Sequence, residues 1–531
     1  MATSSSDSGG RLSRRTILKL TGAASAAVAL DACTPAPAGE SDAATPGISD
    51  DSAATTAKSP VTVEVGDIAA ENQLPGSRGW RKGKNRATDV ALTGAYAGQS
   101  SIYPGEPVDL FVSTTSDSWR VEVYRVGFYG GKGGRLVWRS QPQPGAAQDE
   151  VGYLPETRTH FAKWRKSLSL ESSDWQPGMY LIRVAGSSGA DWLVPLVVKS
   201  PEVSGRLVLM MSDLTWQAYN EWGGRSAYFG PVGGFSDRSR AVSFARPYAG
   251  GNGTGKYFAM EDPVVRLVEA NGLPVSYVAS SDLTFDKIDL TQAAGLVFLG
   301  HDEYWTVKER ASVTKARDAG VDLAFLGANT MYWRVRLSLD GPRGLPLQTI
   351  YKSAAEDPVT GPETTVRFRD APAPDQERSL VGQEYECYPA TGTYTITDPD
   401  FFAFAGTGKR KGDTVSEIVD VEVDRAYPGS PTPKNLQIVA ASPTRCLDTQ
   451  TLSTTTYYSH KSGAGIFSSG TMGWVLRGLR EPPGSGPRKF TERVTLNILG
   501  AMLAGQMGAD HPSKPNLSEF DLPSYNTTGR A

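Results

Sequence analysis

The chain has 531 residues but only four histidines, His160, His301, His460 and His511, and three cysteines, Cys33, Cys387 and Cys446. So few histidines exclude a multi-histidine metal cage built from sequence neighbours. The absence of any Cys-x-x-Cys excludes a zinc ribbon or a thioredoxin-type site. No excess of one charge exists either. The 54 basic and 57 acidic residues leave a net charge of -3, which argues against a nucleic-acid surface. The apolar run from Leu20 to Leu30 is too short to span a bilayer as a permanent helix. Glycine and proline, by contrast, are plentiful at 57 and 35, so many turns and modest helix content are expected.

What that apolar run does is read from its neighbours. Ser13-Arg-Arg-Thr-Ile-Leu-Lys19 precedes it and has the pattern of a twin-arginine export signal. Leu30-Asp-Ala-Cys33 follows it as a lipobox-like sequence, which makes Cys33 the candidate for lipidation; simple cleavage nearby is the alternative. The expected location is the outer face of the cytoplasmic membrane or the cell surface, with the membrane reached through a lipid anchor. Residues 34–60 are Ala, Thr, Ser, Pro, Gly and Asp with almost no large apolar side chain, a composition that cannot offset its ordering entropy. They read as a disordered tether. In an oxidising compartment Cys387 and Cys446 are expected to form a disulfide, two buried free thiols being the other reading.

The remainder is too long for one core. Residues 61–202 read as an all-β sandwich: Pro107–Ser113, Trp119–Arg125, Met179–Val184 and Trp192–Val198 are short strands separated by turns such as Tyr129–Gly134. The style changes at Gly205. Arg206–Met211, Val275–Val278, Gly295–Gly300 and Val321–Gly327 are near-continuous apolar runs, as in strands covered on both faces. Helical spacing occurs over Asp262–Gly272, with Asp262 as cap, and from Thr306 to Gly320. Strand, helix, strand predicts an α/β core over 203–508, closed by a helix from Thr491 to Leu503 and carrying a β-rich insertion at 364–460. Residues 509–531 are left as a tail.

Gly295–Gly300 runs straight into His301-Asp-Glu-Tyr-Trp305. Ligands of open α/β sheets sit beyond the carboxyl ends of strands. If the chain stays extended, His301 and Glu303 share a face and Asp302 points away. Thr215-Trp-Gln-Ala-Tyr-Asn220 and Asn329-Thr-Met-Tyr-Trp333 arrive at the same rim, with Ser468–Trp474 as a weaker fourth cluster. His301 is the candidate proton carrier and Glu303 a carboxylate for metal or acid/base work. Asn220 and Asn329 are candidate donors to an oxyanion. The plainer readings are a capping histidine, a helix-entry acid favoured by the macrodipole, and a tryptophan-lined groove for sugar or peptide.

Taken together, Thr215–Asn220, Gly-Gly-Arg-Ser-Ala-Tyr (223–228), Gly-His-Asp-Glu-Tyr-Trp (300–305), Gly-Ala-Asn-Thr-Met-Tyr-Trp-Arg (327–334) and Tyr-Arg-Val-Gly-Phe-Tyr-Gly-Gly (124–131) resemble the family of the large subunit of N,N-dimethylformamidase. The resemblance implies an α/β core similar to class I glutamine amidotransferases without their cysteine nucleophile, preceded by an Ig-like sandwich. It implies hydrolysis of a small amide through a mononuclear iron held by two tyrosines and one glutamate. It also implies a small partner subunit or homo-oligomer. The glutamate matches Glu303, with His301 beside it, and one tyrosine matches Tyr219. The second tyrosine belongs before an Arg-Pro pair, where this chain has Phe244; Tyr248, in the next turn, is the candidate replacement. The functional expectation is an exported, membrane-tethered hydrolase of a small amide-type C–N bond with Tyr219, Glu303 and Tyr248 on iron. The alternatives are a cell-surface binding protein whose catalytic site has degenerated, and hydrolysis by Glu303 and His301 without metal.

Overall fold

A computed structural model describes residues 66–81, 91–286 and 288–522. The export signal, Cys33 and the tether lie outside them, as does the end of the tail. Among the described residues no helix is long and apolar enough to cross a membrane. The architecture is β-rich, with mixed sheets and few helices.

The short helix Ile68–Gln73 comes first, capped by Asp67, whose carboxylate accepts from Ala70 N. Strand-like sequence then forms two sheets. Thr93–Ala97, Val108–Thr114 and Leu168–Leu170 make the smaller; Ser118–Val126, Gly178–Gly186 and Asp191–Val198 lie at the centre of the larger. Alternation decides which way each side chain goes. Tyr180, Ile182 and Val184 pack with Val108, Leu110 and Val112 between the two sheets. Met179 and Leu181 point to the other side and join the core of the main sheet. The larger sheet is therefore buried on both faces, which explains why Asp191–Val198 has no exposed residue.

The main sheet has nine strands, in the order Val275–Ala279, Leu207–Met211, Gly295–Gly300, Asp322–Gly327, Gly465–Ser468, Thr449–Ser459, Gln437–Cys446, Glu384–Thr395 and Thr414–Arg425. The first five are parallel and the rest antiparallel. Its apolar runs alternate between two cores: Leu207, Leu209, Val297, Leu299, Ala324 and Leu326 on one side, Val208, Met210, Leu296, Phe298, Leu323 and Phe325 on the other. The segment expected as an insertion thus extends the same sheet, and Cys387 and Cys446, joined by a disulfide, tie two of its strands together. The chain reverses its strand order between Leu207–Met211 and Gly295–Gly300, so the crevice at their carboxyl ends is a topological switch point.

Helix boundaries differ from expectation where caps differ. The helix Asp262–Ala270 takes Asp262 into its first turn and leaves Glu261 at the cap position. The closing helix is Gly486–Ala504, beginning well before Thr491, because Ser485 accepts from Arg488 N and Pro487 suits the first turn. Thr306 does cap the helix Val307–Asp318, through Glu309 N. After Ser468 the chain passes into a π-helical turn, Trp474–Leu479.

One buried ion pair joins the larger sheet of the sandwich to the helix Asp262–Ala270. Arg125 reaches Glu269 at 2.8 Å with both side chains fully buried. Tyr277 and Asn72 also donate to Glu269, and Tyr129 accepts from Arg125. Removing one partner leaves a buried charge uncompensated. Arg125→Met or Glu269→Gln is expected to cost about 3–5 kcal/mol, and Arg125→Met combined with Glu269→Met less than the sum of the two single changes to methionine; chemical denaturation of the wild type, the three single variants and the double variant measures both.

Candidate active site

Gly300 ends its strand with φ 46°. A Cβ there would stand 2.3 Å from Met260 O, so glycine is required for the close approach and for the left-handed turn. The chain does not stay extended. Residues 301–303 are irregular, and extended structure resumes only at Tyr304–Thr306. His301 and Glu303 nevertheless meet, by this turn and not by strand alternation: His301 Nε2 stands 3.3 Å from Glu303 Oε2. Asp302 has both carboxylate oxygens buried without a hydrogen bond, and burial pushes its pKa up to about 8.

Glu303 is 1% exposed and is the centre of the site. Tyr219 Oη donates to Oε2 at 2.7 Å and Tyr228 Oη to Oε1 at 2.5 Å; the two phenol oxygens are 3.5 Å apart. Tyr219 ends the helix Asp213–Ala218, which leaves the switch-point strand Leu207–Met211. Tyr228 is brought in by the turn at Gly223 and Gly224, both at positive φ. Thr215 Oγ1, on the same short helix, accepts from Glu303 N at 3.1 Å and fixes the backbone.

A four-stranded sheet, in the order Ala241–Ser243, Leu347–Thr349, Trp333–Ser338 and Tyr304–Thr306, supplies the next layer. Trp333 Nε1 donates to Tyr228 Oη at 3.3 Å. Lys352, just past Leu347–Thr349, donates to Tyr304 Oη at 2.6 Å and sits 3.1 Å from the centroid of the Tyr228 ring. Lys256 lies 4.2 Å from the ring centroid of Tyr219. From the far strand of the main sheet, Glu422 Oε2 comes within 3.9 Å of His301 Nε2.

The expected residues are divided by this geometry. His301, Glu303, Tyr219 and Asn329 belong to the cluster; the buried Asn329 adjoins Glu422, helping to hold its charged form, and its Oδ1 has no partner. Asn220 does not serve as an oxyanion donor, because its amide is already used: Nδ2 donates to Pro247 O, and Oδ1 accepts from Trp222 N and Ala249 N. Tyr248 does not join Glu303 either. It packs edge-on against Trp216 in the main core. Phe244, at the position the resemblance assigns to a phenol, packs in the apolar cluster that includes Tyr219 and Tyr228. The second phenol on Glu303 is Tyr228, whose motif is visible in the sequence; Lys352 and Glu422 carry no such mark. Backbone strain gathers here. Asn329, Met331, Lys352 and Val421, the neighbour of Glu422, all have φ between 56° and 67°, a costly region for non-glycine residues that clusters at functional sites.

Electrostatics separate the titratable groups. Burial pushes Glu303 up, but His301, Lys352 and Tyr219 outweigh it and hold the carboxylate below its usual range. Burial together with the charge of Glu303 drives Glu422 up to about 8. Burial lowers His301 despite Glu303, so the imidazole is neutral at neutral pH. Burial also takes Lys352 well below the ordinary lysine value, against the attraction of Glu303. Both phenols are raised well above theirs, by burial first and then by Glu303. The result is a charged carboxylate beside a protonated one, with a neutral imidazole between them.

Among the described residues no group of three or more His, Cys, Asp or Glu is placed to hold a metal. The oxygens that do converge are two phenols and one carboxylate, a hard donor set that fits ferric iron. His301 Nδ1 and Glu422 Oε2 lie beside it, buried and without a hydrogen-bond partner, as groups awaiting a ligand would.

A family model described as N,N-dimethylformamidase beta subunit-like, C-terminal, matches residues 120–484. No curated protein matches the chain. Among solved structures, a cycloisomaltooligosaccharide glucanotransferase of Paenibacillus sp., in complex with cycloisomaltoheptaose, is 12% identical over 22% of this chain and 15% of that one, with a TM-score of 0.14. The chain thus matches only a small part of that enzyme, and the likeness carries no argument.

Deleting a phenol oxygen leaves one oxygen of a buried carboxylate short of a donor. In metal-free protein Tyr219→Phe and Tyr228→Phe are each expected to lower stability by about 1–3 kcal/mol. Thermal and urea unfolding of both variants against the wild type provide the measurement.

Proposed function

The chain belongs to the N,N-dimethylformamidase beta subunit-like family, and on that footing we propose that it is a hydrolase of small amide-type C–N bonds whose site is centred on Glu303. The observation that carries this reading is the placing of Tyr219 and Tyr228 on the two oxygens of one buried carboxylate. Tyr219, Tyr228 and Glu303 would hold a mononuclear iron. Bound there, iron would supply Lewis acidity toward an amide carbonyl and activate water.

The protein's own groups divide the remaining work. His301, neutral and 3.3 Å from Glu303, can take a proton from attacking water at a ring nitrogen. Glu422, protonated below about 8, can give one to the leaving amine. Asn329, beside Glu422, is the candidate donor to the developing oxyanion. Lys352 holds the phenol of Tyr304 and the face of Tyr228, which orients the wall of the site. The site lies in the buried interior, which excludes bulk water and strengthens each of these interactions.

The rest of the reading follows the sequence. A core resembling class I glutamine amidotransferases behind an Ig-like sandwich agrees with the strand order on either side of the switch point and with the shared core of the two sandwich sheets. Division at about residue 202, export by the twin-arginine route, a lipid anchor at Cys33, residence outside the cytoplasmic membrane, and a small subunit or homo-oligomer complete the proposal. A binding protein with a degenerate site is the second reading; the phenol of Tyr228 on Glu303 weighs against it.

Amine release from a panel of small formamides and acetamides by iron-loaded protein tests the reading. Glu303→Ala and Glu422→Gln are each expected to lose about 10²-fold or more in kcat/KM. Because Glu422 must carry its proton, kcat/KM is expected to fall as pH rises through the pH at which Glu422 titrates, which burial places above the ordinary carboxylate range. No hydrolysis across the panel by iron-loaded, folded protein, or a rate that climbs through that pH, contradicts it.

A further inference from the structure

The switch point gathers a second set of polar side chains besides those on Glu303. Ser280 follows the strand Val275–Ala279, Ser212 follows Leu207–Met211, and Asp302 follows Gly295–Gly300 after the turn at Gly300. These three strands are neighbours in the main sheet. Met211 is in register with Ala279, and Ser280 N donates to Met211 O at 2.9 Å, so the two serines stand side by side at the strand ends. Thr306, as cap, fixes Glu309 in the first turn of the helix Val307–Asp318. Ser212 lies beside Asp302 and Ser280 beside Glu309, and the charge of Asp302 reaches Glu309.

All four side chains are buried, none more than 2% exposed. Asp302 Oδ1 and Oδ2, Glu309 Oε1 and Oε2, Ser212 Oγ and Ser280 Oγ have no hydrogen-bond partner among the described residues. Neighbouring acids differ. Asp213 is satisfied by Ser100 and Ser281, and Glu261 spends one oxygen on Ser212 N and Trp216 Nε1. No basic side chain acts on Asp302 or Glu309; the charged groups that do are themselves acids. Arg310, next to Glu309 in sequence, is paired with Asp375, and Lys199 with Asp282 and Asp286. Two buried carboxylates without a counter-ion are costly. The hydroxyls are the independent sign of a ligand. A buried hydroxyl beside a carboxylate ordinarily donates to it, and here neither does, as oxygens turned toward a common ligand would be.

We propose that Asp302, Glu309, Ser212 and Ser280 hold a calcium ion beside the Glu303 cluster. Two carboxylates and two hydroxyls offer a set of hard oxygens, the donors calcium takes in a shell of about six to eight. Two carboxylates balance a divalent charge, whereas a monovalent cation leaves one of them unmatched. Magnesium keeps several waters and suits a cage of protein oxygens less well. The ion would tie three strand ends to the helix Val307–Asp318 and so brace the turn at 301–303 that carries His301 and Glu303. It is a structural site and does not depend on hydrolysis or on iron.

Equilibrium dialysis of the chelator-treated full chain against calcium, and in parallel against magnesium, with bound metal read by elemental analysis, tests the proposal. Calcium is expected to saturate one site, to bind about 10-fold or more tightly than magnesium, and to raise the midpoint of thermal unfolding. Glu309→Gln and Asp302→Asn each remove one carboxylate and are each expected to lower calcium affinity about 10-fold or more. Their unfolding midpoints without metal are expected to stay at or above that of the wild type, because an uncompensated buried charge is gone. Glu303→Gln is expected to bind calcium as the wild type does. No saturable calcium binding, equal affinity for magnesium, affinity unchanged in both Glu309→Gln and Asp302→Asn, or calcium binding lost in folded Glu303→Gln overturns the proposal.

Discussion

Glu303 is a carboxylate that the fold has removed from water, and the arrangement around it follows from the need to satisfy it. Isolated, such a charge would neutralise or destabilise the core. Here a phenol occupies each oxygen, an imidazole stands beside one of them, and the Lys352 side chain acts on it from behind the second phenol. The charge persists because four side chains from separate parts of the chain converge on it. The same convergence makes the site difficult to form in parts, since a missing donor leaves the carboxylate short of a partner.

Each converging element has a reason to be where it is. The parallel strands place Tyr219 and His301 at adjoining carboxyl ends because strand order reverses between them. Gly300 lets the chain turn against Met260 O, which brings Glu303 back toward the helix that carries Tyr219. The small four-stranded sheet covers the site with Tyr304, Trp333 and, just beyond its strand, Lys352. The antiparallel half of the main sheet delivers Glu422 from the opposite direction. The positive φ angles at Asn329, Met331, Lys352 and Val421 locate the strain where side chains must be aimed, which is where strain is tolerated only if the surroundings enforce it.

Much of this is legible in sequence, and the remainder is not for identifiable reasons. Apolar runs such as Leu207–Met211 and Gly295–Gly300 announce buried strands because both of their faces meet a core. His301 and Glu303 stand out because they follow such a run directly. Their meeting, however, depends on a left-handed glycine that periodicity does not reveal. Tyr228 lies in a motif plain to see, but its partner is distant in sequence, and only the turn at Gly223 and Gly224 brings it to Glu303. Tyr248 is equally suitable by residue type, yet Trp216 claims its ring. Asn220 has the chemistry of an oxyanion donor and spends it on Pro247. Glu422 is hidden among alternating strand residues, and Lys352 in a loop; their roles are set by long-range pairing and by burial, which local sequence does not encode.

Whether Tyr219, Tyr228 and Glu303 form one metal-binding set is read from the visible absorption of the purified full chain on addition of ferric iron. A phenolate bound to ferric iron gives a charge-transfer band. Such a band is expected in the wild type and in Tyr248→Phe, with a weakened or displaced band in Tyr219→Phe and in Tyr228→Phe. Folded protein that develops no band with iron, or a band that survives both of the latter substitutions unchanged, would contradict a metal-binding set of these three residues.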